Sequence, residues 1–217
     1  MELMQTPEYS LLHKHKKAVV ENETNLPLVE EADATGMVAE AYAYFREHFG
    51  RQDIPGILKC FATHPPLLQQ MMEIASTLLF CEGHLTRRVK EAIATYISSL
   101  NRCPYCVDSH AFFLHVHGGS DALVNALSTA NVEQAPIDEK ERILLQFVRK
   151  ESCDSYKVSA EDISGLRDAG WNEQQIAEAV HVTALFACFN RVANAFGLPS
   201  QGLLDLRNEV TPPEGTQ

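Results

Sequence analysis

The spacing of apolar residues constrains the fold of this chain more than any other feature. Along most of the sequence apolar side chains recur at helical intervals, and no segment shows the strict alternation of a half-buried strand. Glycine and proline stand at the expected starts and stops of these segments. The sequence therefore predicts an all-α fold, a helical bundle preceded by an N-terminal helical extension.

Three regions are predicted along the chain. Residues 1–54 form an N-terminal extension with one helix over residues 33–48, and residues 52–56 form a turn. Residues 55–200 form the helical domain, and residues 201–217 form a C-terminal tail of which 210–217 should fray. Within the domain, helices are predicted from His64 to Gly83, over residues 86–100, from Pro104 to Gly118, over residues 120–129 and 138–150, from Ser159 to Gly170 and from Asn172 to Gly197.

Composition and charge exclude several classes of function. The 217 residues are 45% hydrophobic and 22% charged, which is ordinary for a globular protein. A net charge of -11 repels phosphate backbones, so nucleic acid is not expected as a partner. Residues 1–30 lack the early apolar run of a secretory signal, and no uninterrupted apolar run is long enough to cross a bilayer. A cytoplasmic protein without a membrane partner is predicted.

The clearest chemical motif is Cys103-Pro104-Tyr105-Cys106. Two cysteines three positions apart on a helix share a face and can form a disulfide. Pro104 suits the first position of a helix, so Cys103 is expected at the helix start. Free backbone N–H groups there favour thiolate over thiol. The motif predicts a reactive dithiol.

His110 and Glu91 are expected beside this dithiol. His110 follows Cys106 by one helical turn and can act as its base, directly or through a water. An antiparallel hairpin turning near residues 100–102 places Glu91 opposite Ala111, next to His110. A carboxylate there would orient the imidazole, giving a carboxylate, imidazole and thiol relay. Because His110 is close to Cys106, we expect Cys106 to be the thiol of lower pKa.

Other interpretations of these residues differ in strength. Cys103, Cys106 and His110 could be three ligands of a structural zinc, although no fourth donor has a helpful spacing. Haem attachment would need histidine at position 107, where Val107 stands. Asp108, Ser109 and His110 have the composition of a hydrolase triad, but consecutive helical residues point in different directions. Glu91 could also be a solvated residue of a charged helix face.

The remaining cysteines and histidines are given structural roles. In a reducing compartment, six sparse cysteines do not suggest a disulfide scaffold. Four of them are predicted to be buried hydrophobes: Cys60, Cys81, Cys153 and Cys188. His115 and His117 are expected as solvated residues at the negative end of a helix.

The residues around the dithiol resemble a known family. The spacing of Glu91, Cys103, Cys106 and His110 is similar to that of the alkyl hydroperoxidase D-like (AhpD-like) branch of the carboxymuconolactone decarboxylase superfamily. The resemblance covers roughly residues 55–200, with loosely matching flanks at His64-Pro65 and at Phe189 to Gly197. Tyr105 stands where the best-known hydroperoxidases of this branch have histidine.

The resemblance implies a function. It implies an all-helical homo-oligomer that reduces a peroxide substrate, in which Cys106 attacks, Cys103 resolves the sulfenic acid as a disulfide, and His110 and Glu91 relay protons. It also implies an external dithiol reductant, whose identity is open, and neither cofactor nor metal. The alternatives are a non-catalytic redox sensor, a zinc-binding interaction module, and a carboxymuconolactone decarboxylase-like enzyme. The decarboxylase branch lacks the dithiol, so Cys103 and Cys106 together favour the peroxidase.

Overall fold

The computed structural model describes residues 24–209. Over this range the chain forms nine α-helices, joined by short loops and four 3-10 helices, and it contains no strand. The predicted all-α class is confirmed. The segment 210–217, which was expected to fray, lies outside the described residues.

The helices follow one another closely along the chain. The α-helices are α1 (Gly36–Phe49), α2 (Gly56–Phe61), α3 (Pro65–Leu78), α4 (Arg87–Leu100), α5 (Pro104–Val116), α6 (Asp121–Ser128), α7 (Glu139–Asp154), α8 (Ala160–Asp168) and α9 (Glu173–Phe196). The 3-10 helices are Glu31–Asp33, Val132–Gln134, Ser155–Lys157 and Leu204–Glu209.

Local sequence signals account for several helix ends. Gly50 and Gly197 end α1 and α9 in the left-handed region, with φ of 64° and 73°, where a side chain would be strained. At the start of α9, Asn172 Oδ1 accepts the Gln175 N–H at 2.9 Å, and Gln175 Oε1 accepts the Asn172 N–H at 3.1 Å. These reciprocal bonds satisfy two donors that the helix itself leaves unpaired.

Two details differ from the sequence-based prediction. The short helix α2 was not predicted, because its six residues are too few to show a helical period. Helix α3 ends at Leu78, well before Gly83. The intervening residues turn away from the α3 axis and lead into α4.

Helix α4 lies at the centre of the fold. Eleven of its fourteen residues are buried, since α5, α6, α7 and α9 all pack against it. It runs antiparallel to α5, to which it is joined by the tight turn at residues 101–103. Residues that α4 and α5 direct at each other are therefore shielded from water, and any charge among them needs a partner.

Helix α9 separates two apolar cores. Its residues Ile176, Val182 and Phe186 pack into the core around α4, whereas Leu185 and Phe189 pack into a second core formed by α1, α2 and α3. A helix that is covered on two sides is apolar around most of its circumference.

The same property makes α9 long and apolar enough to cross a membrane by length and composition alone. The sequence-based exclusion of any such helix is therefore corrected. In the fold, the rest of the protein buries 56% of the most apolar 18-residue stretch of α9. That burial is typical of a central helix in a packed helical domain.

The segment after α9 is docked onto α5 by Asp108. This buried carboxylate accepts three backbone N–H bonds, from Gln201 at 2.9 Å, Leu203 at 3.0 Å and Leu204 at 2.9 Å. Leu203 and Leu206 then pack against the aromatic side of α5. The first part of the predicted C-terminal tail is thus part of the packed fold.

We expect Asp108→Asn to lower the free energy of unfolding by about 2 kcal/mol, because the amide has one acceptor oxygen and presents N–H groups to a backbone donor. Urea denaturation measures the change. Asp168→Asn, at an exposed position at the end of α8, is the matched control and should stay within about 0.5 kcal/mol of wild type. Equal losses in the two variants would contradict the anchoring role of Asp108.

Candidate active site

The pairing of α4 and α5 brings Glu91 to His110. His110 Nδ1 lies 2.7 Å from Glu91 Oε2, as the antiparallel hairpin predicts. Glu91 is 0% exposed, so the alternative that it lies on a solvated face is wrong. The imidazole is held further by the edge of Phe186, with ring centroids 4.6 Å apart and planes at 90°.

Arg87 completes this group and was missed in the sequence. Its Nε and Nη2 atoms both lie 2.7 Å from Glu91 Oε1, so each carboxylate oxygen has its own partner. The guanidinium is buried and lies 4.9 Å from the centre of the Phe80 ring. The signal in the sequence was the spacing of Arg87 and Glu91, which are one helical turn apart.

The ion pair with Arg87 keeps Glu91 ionised. Burial alone raises the pKa of a carboxyl group, but Arg87 and then His110 outweigh it and lower the pKa of Glu91 to about 2. An ionised carboxylate only accepts hydrogen bonds, so His110 Nδ1 carries a proton. In the neutral imidazole, Nε2 then has a free lone pair and can act as a base.

The dithiol lies at the N-terminus of α5. Cys103 is the residue that caps the helix, and its Sγ accepts the Cys106 N–H at 3.3 Å. Both cysteines are buried, with 0% and 3% of their surface exposed, and both are reduced. The local geometry follows from Pro104 at the first helical position, which sets the turn between the two sulfurs.

The order of the two thiol pKa values differs from the prediction. A hydrogen bond from the Cys106 side chain, followed by the Cys106 backbone N–H, lowers the pKa of the Cys103 thiol despite its burial. The same hydrogen bond with Cys103, together with burial, raises the pKa of Cys106. The two directions favour Cys103 over Cys106 as the thiol that ionises first, because the helix N-terminus directs its donor at that sulfur.

The other four cysteines are not all buried. Cys60 is buried, which raises the pKa of its thiol to about 12, and Cys81 is partly buried with its S–H donating to the Thr77 carbonyl. Cys153 and Cys188 are exposed, so the prediction was wrong for these two. They lie on outward faces of α7 and α9.

Cys106 and His110 line the same cavity. Its volume is about 100 Å³. Most of its wall is apolar and comes from α1, α2, α3 and α9, including Phe45, Phe49, Leu58, Phe61, Met71, Met72, Ala75 and Phe189. The N-terminal extension thus supplies part of this wall. A molecule bound in the cavity would therefore lie in a space lined by both a thiol and an imidazole.

A short polar chain closes one end of the cavity. Arg51 pairs with Asp53 and donates to Gln201 Oε1 at 3.0 Å, and Gln201 Nε2 donates to Ser109 Oγ at 2.9 Å. Ser109 therefore bonds to Gln201, whereas Asp108 bonds to backbone and His110 to Glu91. These three residues do not form a hydrolase triad, as the sequence argument concluded.

Over residues 24–209 no group of three or more histidine, cysteine, aspartate or glutamate side chains is arranged to hold a metal ion.

His115 lies in the last turn of α5 and is buried, with Nδ1 3.5 Å from Asp121 Oδ1. The expectation that it is a solvated cap is wrong. His117 caps the same helix through its backbone N–H.

The comparisons with known proteins agree with the fold, and the matched part of the sequence contains the candidate site residues. Residues 65–133 match the carboxymuconolactone decarboxylase family, and this range contains Glu91, Cys103, Cys106 and His110. Over 96 residues, or 44% of this chain, the sequence is 36% identical to an alkyl hydroperoxide reductase of Mycobacterium tuberculosis. The match spans 27% of the length of that relative, so the activity of the whole relative does not transfer directly.

Solved structures share the fold over most of its length. A peroxidase-related protein from Silicibacter sp. TM1040 is 29% identical with a TM-score of 0.73, and the alignment covers 85% of this chain and 95% of that one. A peroxidase-related protein from Ralstonia eutropha JMP134, with an alkylhydroperoxidase AhpD core, is 23% identical with a TM-score of 0.76 and coverages of 87% and 97%. The debrominase Bmp8, bound to 2,3,4-tribromopyrrole, is 18% identical with a TM-score of 0.68 and coverages of 86% and 96%.

The fold is the all-α fold of AhpD-like peroxidase-related proteins. The match to the carboxymuconolactone decarboxylase family is confined to residues 65–133, which hold helices α3 to α6.

The charge of Glu91 predicts a specific loss of stability in acid. Its pKa falls from 4.5 in the unfolded chain to about 2 in the fold, so its stabilisation is complete above about pH 4.5 and is lost as the pH falls towards 2. At about pH 3 we expect wild type to have lost about 2 kcal/mol through this group.

Denaturant unfolding of wild type and Glu91→Gln at neutral pH and at about pH 3 measures this loss. The stability difference between the two proteins should shrink in acid by that amount. The exposed control Glu40→Gln should keep the pH dependence of wild type. A wild type and a Glu91→Gln protein that lose stability in parallel would show that Glu91 is not held ionised in the fold.

Proposed function

We propose that the protein is a thiol-dependent peroxidase, reducing organic hydroperoxides or hydrogen peroxide through Cys103 and Cys106. One observation carries the proposal: Cys106 lines a mostly apolar cavity together with His110, and His110 Nδ1 is bonded to the buried, ionised carboxylate of Glu91. A thiol, a base and a group that orients the base are the parts that nucleophilic catalysis requires.

In the first step Cys106 attacks as a thiolate. Its proton passes to His110 or to the Cys103 thiolate, and its sulfur bonds to one peroxide oxygen while the O–O bond breaks. The leaving oxygen takes this proton back, from the imidazolium or from the Cys103 thiol, and departs as alcohol, or as water when the substrate is hydrogen peroxide. Either route leaves Cys103 as a thiolate. Cys106 becomes a sulfenic acid. The mostly apolar cavity wall suits the carbon part of an organic hydroperoxide.

In the second step Cys103 resolves the sulfenic acid. The Cys103 thiolate attacks the Cys106 sulfur, forming a disulfide and releasing hydroxide, which is protonated to water. The lowered pKa of Cys103 suits this role, because the resolving sulfur must be ionised when the sulfenic acid appears. An external dithiol, which we propose as the partner, then reduces the disulfide by thiol–disulfide exchange.

The other proposed roles concern Glu91 and Arg87. With a pKa near 2, Glu91 does not take a proton from His110 at neutral pH, so we assign it to orienting the imidazole and stabilising the imidazolium. Arg87 keeps Glu91 ionised.

A cytoplasmic location and a homo-oligomeric assembly remain parts of the proposal. A redox sensor would form the same disulfide without turnover, and a zinc module would bind the metal.

Turnover of tert-butyl hydroperoxide with dithiothreitol as reductant tests the proposal. Wild type should consume peroxide catalytically, and Cys106→Ser should not exceed the uncatalysed rate. Glu91→Gln should be slower by at least about 100-fold, because a positioned acid or base contributes at least that much. Cys188→Ser, which changes an exposed thiol, should stay within about twofold of wild type. A folded but inactive wild type, or an active Cys106→Ser protein, would refute the peroxidase assignment.

A further inference from the structure

A tyrosine between the two cysteines reaches the start of α2. Tyr105 is 6% exposed and lines the cavity together with Cys106 and His110. Its hydroxyl oxygen accepts the Ile57 N–H at 3.2 Å, and Ile57 lines the same cavity. The hydroxyl group is therefore held by a hydrogen bond between two residues of the cavity wall.

The surroundings of the Tyr105 ring leave it little freedom. The ring belongs to the apolar cluster that contains Cys103, Cys106 and Leu198. A side chain added at Gly56, on the other side, would meet Leu198 at 3.1 Å and the Tyr105 ring at 3.5 Å. The backbone of α2 thus packs closely on the ring, and the position of the hydroxyl group is fixed in advance.

The hydroxyl group of Tyr105 still has a proton to donate. Its oxygen accepts from Ile57, but within residues 24–209 its O–H has no acceptor. Burial raises the pKa of Tyr105, so the hydroxyl group keeps this proton at neutral pH. Accepting the Ile57 N–H also polarises the O–H bond and strengthens it as a donor. A buried donor of this kind at a cavity wall indicates that a molecule in the cavity completes its hydrogen bonding.

Neighbouring polar groups of the wall already have partners within the protein. The Ser109 hydroxyl donates to the Tyr105 carbonyl at 3.1 Å and accepts from Gln201 at 2.9 Å. Gln201 in turn accepts from Arg51 at 3.0 Å. His110 Nε2 carries a lone pair in the neutral imidazole, so it accepts a proton before it can donate one. Tyr105 therefore offers a substrate oxygen a neutral donor that no described residue uses.

We infer that Tyr105 is a further catalytic residue, whose O–H donates a hydrogen bond to the leaving oxygen of the peroxide. This role rests on the proposed function. As the Cys106 sulfur bonds to one oxygen and the O–O bond breaks, negative charge develops on the other oxygen, and a donor already in place stabilises that charge. Tyr105 keeps its proton throughout, whereas the leaving oxygen takes up the proton that Cys106 gave to His110 or Cys103.

A purely structural role for the hydroxyl group predicts a different result. The hydroxyl oxygen also provides an acceptor for an N–H that the start of α2 would otherwise leave unpaired. If this is its whole task, Tyr105→Phe should lower stability and slow the reaction with all peroxides alike. If the hydroxyl group stabilises the leaving oxygen, the loss of rate should depend on how basic that oxygen is.

The test is the rate at which stoichiometric peroxide oxidises Cys106, in full-length protein with Cys153 and Cys188 replaced by Ser. Alkylation stops the reaction, and mass spectrometry measures the oxidised fraction. Ethyl hydroperoxide and peracetic acid are similar in size, but the first releases strongly basic ethoxide and the second weakly basic acetate. Tyr105→Phe should slow ethyl hydroperoxide by about 10- to 100-fold, the effect of losing a hydrogen bond to a charged group, and peracetic acid by less than about threefold.

Tyr42→Phe is the matched control. Tyr42 is 1% exposed, its hydroxyl group donates to the Val29 carbonyl at 2.8 Å, and it does not line the cavity. Each variant loses one hydrogen bond of a buried tyrosine, so both should lower the melting temperature by about 2 to 4 °C. Tyr42→Phe should nevertheless keep both peroxide rates within about twofold of wild type.

Equal effects of Tyr105→Phe on the two peroxides, whether a loss or none, would overturn the role of Tyr105 and leave the peroxidase proposal standing. A wild type in which neither peroxide oxidises Cys106 would refute the peroxidase proposal, and this inference with it. Should Tyr105→Phe fail to fold, 3-fluorotyrosine in place of Tyr105 keeps the hydroxyl group and makes it more acidic. The rate with ethyl hydroperoxide should then rise relative to that with peracetic acid, and an unchanged ratio would overturn the role.

Discussion

The structure depends on the pairing of one carboxylate that has no contact with water. Glu91 lies on the central helix α4, fully buried, and a charge in that position is tolerated only when it is paired and hydrogen-bonded. Arg87 binds one oxygen and His110 binds the other. Since His110 belongs to α5, the pair also fixes the register of α4 against α5, and with it the position of the dithiol at the start of α5.

The same pairing separates the tasks of the neighbouring groups. Arg87 keeps Glu91 ionised, ionised Glu91 fixes the proton of His110 on Nδ1, and Nε2 is left as a base on the side of the cavity. The dithiol divides its own roles in a similar way. The helix N-terminus favours charge on Cys103, whereas Cys106 lines the space that a substrate can enter. The sulfur whose pKa is lowered is therefore not the one proposed to attack.

Sequence alone was sufficient where the determining interactions are local. The capping residues of α9 and the tight turn between α4 and α5 are short-range features, and the turn places Glu91 next to His110. Arg87 was missed because charged pairs one helical turn apart are usually solvated, and the sequence does not show that the Phe80 and Phe113 rings lie against this guanidinium. The exposure of Cys188 was misjudged because α9 is apolar on two sides, so periodicity does not show which narrow strip faces water. The order of the thiol pKa values follows the Cys106 N–H, which is bonded to Cys103 Sγ. The predicted helix start at Cys103 held this signal, but the one-turn spacing of Cys106 and His110 was given more weight. The cavity combines residues from α1, α2, α3 and α5 that are distant in sequence.

The central claim is that Cys103 and Cys106 are the two sulfurs of one redox centre, and disulfide mapping tests it most directly. Protein with the exposed Cys153 and Cys188 replaced by Ser is treated with one equivalent of peroxide, digested without reduction and analysed by mass spectrometry. The account predicts a Cys103–Cys106 disulfide, with Cys60 and Cys81 reduced. Cys60 is the stringent internal competitor, because it packs in the same apolar cluster as the dithiol. A disulfide mainly between Cys106 and Cys60, or a Cys106 that stays unpaired while Cys103 remains reduced, would contradict the account.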